Sequence, residues 1–195
     1  SGIDVDKFDY IVRDTYFIGL EYSFDFNRIF KLCKVINNEL CYSDKLVLNI
    51  YELFRVRYRL YKEIYNHPVV SAIEFMIADI LKKKNINISN ISDFCKIDDS
   101  IVNNHEIIKK LHNRNIYKLK YEKIYMKKFP DTYPEINDNE IIHKLKIGLN
   151  NKNVNPIDNI TFYNNNKIIK INTENVSYLI ADIYTEFIIR IYSKN

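Results

Sequence analysis

Apolar residues in the first half of the chain recur every three or four positions, the spacing that lines one face of a helix. The pattern predicts helices over about 6–20, 25–35 and 44–65, with shorter ones near 93–102 and 104–113. Pro68 interrupts the third. The segment "PVVSAIEFMIADILKKK" then reads as a further helix, opened by a proline in its first turn and closed by cations that suit a C-terminus. Its stripe of Val69, Ile73, Ile77 and Ile80 is expected to be ordinary core. After Arg114 the period drops to two. "IYKLKYEKIYM", "EIIHKLKIGLN", "ITFY", "KIIKI" and "FIIRIY" read as strands, so the helices are expected to be followed by one small mixed sheet. The Asn/Pro-rich stretches at 129–139 and 150–159 separate these strands and are expected to be mobile. No internal repeat is visible.

Composition narrows the class. The 195 residues, 47% of them hydrophobic, suffice for one sizeable core and a small second lobe. A net charge of +4 permits anionic ligands without marking a nucleic-acid-binding protein. Three scattered cysteines, Cys33, Cys41 and Cys95, make neither a disulfide framework nor a metal knuckle, which fits a reducing compartment such as the nucleus or cytoplasm. No apolar run approaches the ~20 residues that span a bilayer. The Ser1-Gly2 start, without methionine, reads as the scar of a removed tag on a piece of something longer. Asparagine clusters such as "NNN" at 164–166 read as loop filler from A/T-rich codons.

The candidate chemistry begins in "DVDKFDYIVRD", 4–14. Acidic residues at a helix start cap it and complement its dipole, which accounts for Asp4. Further in, Asp6, Tyr10 and Asp14 recur at i, i+4 and i+8 and drift only ~40° per step, with Lys7 close to the same stripe. An acid, an amine, a phenol and a second acid on one face suit a metal and a polyphosphate, or simply a solvated surface. On the 44–65 helix, Arg57, Tyr61 and Tyr65 again step by four, offering a fixed positive charge and two phenols to a nucleotide, or covering a core edge with their stems. His67, His105, His112 and His143 make no local metal pattern, and three glycines leave no glycine-rich phosphate loop.

In this order, "GIDVDKFDYIVRD", "FDFNRIFK", "LYKEIYNHP", "LHNRNIYK" and "NPIDNITFY" resemble the SAM-and-HD-domain deoxynucleoside triphosphate triphosphohydrolases over nearly the whole chain. The resemblance implies a mainly α fold. Residues 1–113 would be the later, helical part of an HD phosphohydrolase domain whose upstream half is absent, and 114–195 a small α+β lobe with a mixed sheet. It also implies that Asp6 is one ligand of a divalent metal (Mg, Mn, Fe or Zn) whose other ligands, a His and a His-Asp pair, lie upstream. Lys7 and Tyr10 would approach the phosphates, Asp14 would hold the sugar 3′-hydroxyl, and Arg57 and Tyr65 would contact substrate. Tyr61 stands where the family has a histidine. The implied reaction is metal-assisted attack of water on the α-phosphorus, releasing deoxynucleoside and triphosphate. Arg28, Lys45, His67, Arg114 and Lys118 fall at positions that bind a GTP or dNTP activator between subunits of a homo-oligomer. Pro68 stands where a basic residue is expected, and the loop before Arg114 is short.

The isolated chain is expected to be inactive, since one carboxylate cannot hold a transition metal tightly. Two other classes remain open. One is a catalytically silent nucleotide- or single-stranded nucleic-acid-binding module, using the alternating Lys and Tyr of "YKLKYEKIYMKK". The other is an HD hydrolase acting on a different phosphoester.

Overall fold

The computed structural model describes residues 3–21, 25–83, 91–95, 97–98, 100, 105–149, 154–172, 176–177 and 183–194. They form an α+β structure with two sheets, in two compact units: 1–64 with 125–128 and 146–187, and 65–124 with 129–145 and 188–195.

In the first unit, helix α1 (Val5–Ile18) starts where Asp4 takes extended backbone and its carboxylate accepts the Lys7 N–H at 2.7 Å. It stops at Gly19, whose φ of 72° suits glycine and lets the Leu20 N–H reach back to the Thr15 carbonyl at 2.9 Å. Phe8, Ile11 and Thr15 form its buried face. Helix α2 (Phe26–Lys31) is capped by Asp25. The helix expected over 25–35 ends there, because "CKVINNELCYS" makes a hairpin of β1 (Cys33–Ile36) and β2 (Glu39–Ser43). Asn37 and Asn38, at φ 50° and 64°, supply the left-handed pair that a two-residue hairpin turn needs. Asn165 and Asn166, at 46° and 64°, do the same between β5 (Thr161–Asn164) and β6 (Lys167–Ile169), whose register carries Tyr163 opposite Ile168. These asparagines are therefore not filler.

The strands are also not one sheet. β2 runs parallel to β5, pairing Tyr42 with Phe162, so the order β1-β2-β5-β6 joins the start of the chain to its last third. The segment expected as one helix over 44–65 divides in three: a 3-10 turn at Asp44–Leu46, helix α3 (Val47–Arg59) and a π-helical turn, Leu60–Tyr65. Val47, Ile50, Leu53, Phe54, Val56 and Arg57 are the buried residues of α3.

In the second unit, helix α4 (Pro68–Lys83) begins as its proline predicts, with the His67 carbonyl accepting the Ser71 N–H at 3.0 Å. Its buried residues are Ser71, Ala72 and Met76. The expected stripe is rotated outward: Val69 is 45% exposed, and Ile73, Ile77 and Ile80 are only half-buried. Short helices α5 (Ile91–Phe94) and α6 (His105–His112) follow; the parts of the expected helices at 101–104 lie outside the described residues, as do 150–153 of one expected mobile stretch. Strands β3 (Lys118–Tyr125), β4 (Glu140–Gly148) and β7 (Thr185–Ser193) form a three-stranded sheet in the order β3-β7-β4. Central β7 buries Ile188 to Tyr192 without a break, so the alternation expected of "FIIRIY" gives way to a strand covered on both faces.

Candidate functional site

The first unit brings together three of the residues singled out on the helices. Arg57, on α3, is only 7% exposed, and its Nη1 donates to the Gly148 carbonyl at 3.0 Å. Its guanidinium lies over the Tyr61 ring, 4.3 Å from the centroid, at the first turn of the π segment. Tyr10, on α1, feels the same guanidinium: burial pushes its phenol up from the usual value while the charge of Arg57 pulls it down. A cation held between two phenols and a carbonyl is fixed in orientation, because guanidinium is a planar fork whose donors cannot rotate independently. Gly148, which contributes only a carbonyl, left no mark in the sequence by which it could be found.

The acidic end of α1 is more self-contained than its spacing suggests. Lys7 Nζ reaches back to Asp4 at 3.2 Å. The Lys7 backbone N–H, ahead of its ammonium, holds the Asp4 carboxyl below the usual range. Arg13 donates to Asp9 at 2.6 Å and to Asp14 at 3.2 Å. Asp6 is exposed. Among the described residues no group of three His, Cys, Asp or Glu side chains could hold a metal ion. Asp6 thus offers one carboxylate, and the residues described do not by themselves make a metal site. Tyr65 closes the π turn at the head of the second unit and is half-buried.

The activator candidates separate between the units. In the first, Arg28 donates to Asn49 Oδ1 at 3.2 Å and Lys45 is exposed on the 3-10 turn. Arg28 and Asn49 line a cavity of about 740 Å³, together with Tyr51, Tyr58, Thr185 and Glu186. Tyr58 accepts from Lys62 Nζ at 2.8 Å, and Lys62 pairs with Glu186 at 2.7 Å. Tyr51 donates to Asn155 at 2.6 Å, and burial raises its phenol to about 12. Sequence reasoning missed Asn49, though it stands one helical turn after Lys45. In the second unit, His67 is exposed and accepts the Val69 N–H at 3.3 Å as a cap of α4. Arg114 takes φ 52° just after α6, and Lys118 opens β3; both are exposed.

No protein-family model matches the chain. Over its whole length it is similar to a deoxynucleoside triphosphate triphosphohydrolase SAMHD1 homolog of Dictyostelium discoideum, at 31% identity and spanning 45% of that protein. It is similar, again over its whole length, to human deoxynucleoside triphosphate triphosphohydrolase SAMHD1, at 28% identity and spanning 40% of it. Half of the chain, 52%, is 32% identical to an HD domain-containing protein of Acanthamoeba polyphaga mimivirus. The chain thus spans less than half the length of the curated relatives that match it throughout. No helix among the described residues is long and apolar enough to cross a membrane.

Proposed function

We propose, from the premise that this chain belongs to the SAM-and-HD-domain deoxynucleoside triphosphate triphosphohydrolase family, that it is the C-terminal part of an enzyme that uses water to split a dNTP into deoxynucleoside and triphosphate. Residues 1–113 are the later helices of the HD domain and 114–195 its C-terminal lobe. Tyr10, Arg57 and Tyr61 carry this reading, because a phenol from α1 and one from the π turn meet around the buried Arg57 guanidinium. With Lys7 and Tyr65 they bind the phosphates and the nucleoside; Asp14 accepts from the sugar 3′-hydroxyl, a contact whose loss leaves a buried group unpaired and therefore discriminates well. Tyr61 in place of the family's histidine makes the neighbour of Arg57 an aromatic platform rather than a titrating base.

Asp6 is proposed as one ligand of a divalent metal, which would supply a polarised water, with its partners outside this chain. The chain alone is expected to be inactive and to carry no stoichiometric metal. Product analysis of the full-length protein with each dNTP and Mg, Mn, Fe or Zn tests the activity, and triphosphate release supports it. Release of pyrophosphate or orthophosphate instead would replace the substrate chemistry. Iron, manganese or zinc bound one-to-one by the isolated chain would overturn the reading of Asp6.

Arg28, Lys45, His67, Arg114 and Lys118 are proposed to hold a GTP or dNTP activator in a homo-oligomer. The 740 Å³ cavity, which Arg28 lines beside Asn49, supports the first of them. A bound nucleotide offsets the mutual repulsion of these cations and drives assembly by mass action. Light scattering of the full-length protein should show a larger particle with nucleotide, and Lys118→Glu should abolish that shift. A size indifferent to nucleotide in both proteins removes the activator site and leaves the hydrolase reading standing.

A second reading, a single-stranded nucleic-acid-binding module, draws on β3, where six of eight residues are exposed. Binding of a labelled single strand that weakens steeply with salt would favour it.

A further inference from the structure

Arg190 lies on central strand β7 and is only 4% exposed, so its charge must be answered by protein groups. Two answers come from distant parts of the second unit. Its Nε donates to Glu122 on β3 at 2.5 Å, and its Nη1 donates to the backbone carbonyl of Asn66. Asn66 stands between Tyr65, the last residue of the π turn, and His67, which caps α4. The last carbonyls of any helical segment lack partners within it, and a π turn next to a proline-started helix leaves them at a junction without regular pairing. A guanidinium suits this task because its fork can engage a carboxylate on one side and a carbonyl on another at fixed angles.

We infer that Arg190, oriented by Glu122, is a positioning residue that locks the Tyr65–Asn66–His67 junction and so presents Tyr65 to substrate. The inference rests on the proposal that Tyr65 contacts the nucleotide. Lysine at 190 keeps the charge and can pair with Glu122, but a single ammonium cannot hold both partners in the fork geometry. The lock would then open without loss of charge balance.

The test uses Arg190→Lys in two settings. In this chain, amide exchange of residues 66–71 should quicken in Arg190→Lys while α1 and α3 stay protected; unchanged exchange would overturn the lock. In the full-length protein, Arg190→Lys should raise KM for dGTP about tenfold with kcat changed less than about twofold, the signature of lost uniform binding. Placed on a Tyr65→Phe background, the same substitution should raise KM no further, because the two changes remove one shared interaction. An equal rise in both backgrounds would make Arg190 merely structural and overturn its role. A full-length protein that does not hydrolyse dGTP while exchange still quickens would remove the nucleotide reading, and with it the presentation of Tyr65, but would leave the lock in place. Glu122→Gln should follow Arg190→Lys in direction; a variant with wild-type exchange would remove Glu122 from the role.

Discussion

Arg57 and Arg59 are two positions apart on α3 yet face opposite ways, about 200° around the helix. Replacing each by methionine keeps an unbranched stem and removes only the guanidinium. At Arg57 the loss includes a charge-assisted hydrogen bond to the buried Gly148 carbonyl, about 1.5–3 kcal/mol, and a largely desolvated contact over the Tyr61 ring, about 1–2 kcal/mol. The Tyr10 hydroxyl also loses its cation. A destabilisation of roughly 3–4 kcal/mol follows. Arg59 makes a 3.5 Å pair with Glu63, with the two side chains 37% and 50% exposed, and such pairs contribute only ~0.3–0.5 kcal/mol. With a urea m-value of about 2 kcal/mol/M, Arg57→Met should lower the midpoint by ~1.5–2 M and Arg59→Met by ~0.3 M or less. The chain has no tryptophan, so far-UV circular dichroism is the suitable probe. Equal midpoints for the two variants would show that Arg57 does not organise this cluster.

His143 is packed edge-on against Phe75 at 5.0 Å, near Tyr192, with its Nδ1 buried and unbonded. Burial, and then the charge of Arg190, hold its imidazole below the usual 6.5, so the neutral form is favoured on folding and the stability is full above that value. Stability should fall as pH drops through 6.5 toward the lower folded value, and His143→Leu should flatten that slope in urea titrations from pH 8 to 5; parallel slopes would refute it. At the hairpin turns, Asn38→Ala should cost about 1 kcal/mol because an ordinary side chain resists a φ of 64°, whereas Asn38→Gly should be neutral or slightly stabilising. An alanine variant as stable as wild type would mean that the turn relaxes to another type.

Much of the fold was legible in the chain. The strands at 118–125, 140–148 and 185–193 and the capped starts at Asp4 and Pro68 follow from period, capping and proline chemistry. The first strand of the β1–β2 hairpin reads as the end of a helix because "FKLCKVI" carries apolar residues at both spacings, and short apolar runs do not separate helix from strand. The signal that could have decided it was Asn37-Asn38, a turn pair hidden by treating asparagine as codon bias. The parallel pairing of β2 with β5 was not legible, since the alternation of each strand is satisfied by any partner and says nothing of one more than a hundred residues away. In the site, the i, i+4 rule found Arg57 and Tyr61, whose contact is local. It could not find the Gly148 carbonyl, a backbone group present in every residue type.

The i, i+4 rule reaches Tyr65 only across a change of helix type. Stepping by four is the spacing of a backbone that closes i→i+4 rings; from Leu60 to Tyr65 the chain closes wider ones, so the step from Tyr61 to Tyr65 is not an α-helical one. A π turn forgoes the regular α ladder, and the carbonyl just past its end accepts from a buried guanidinium on a strand 124 residues later. Periodicity along the chain cannot encode such a partner. The arginine in "FIIRIY" breaks an otherwise apolar central strand for a reason that lies at the end of the π turn. A charge in the middle of a strand buried on both faces is therefore a pointer to a backbone group that needs a donor, and this one leads to the junction that carries Tyr65.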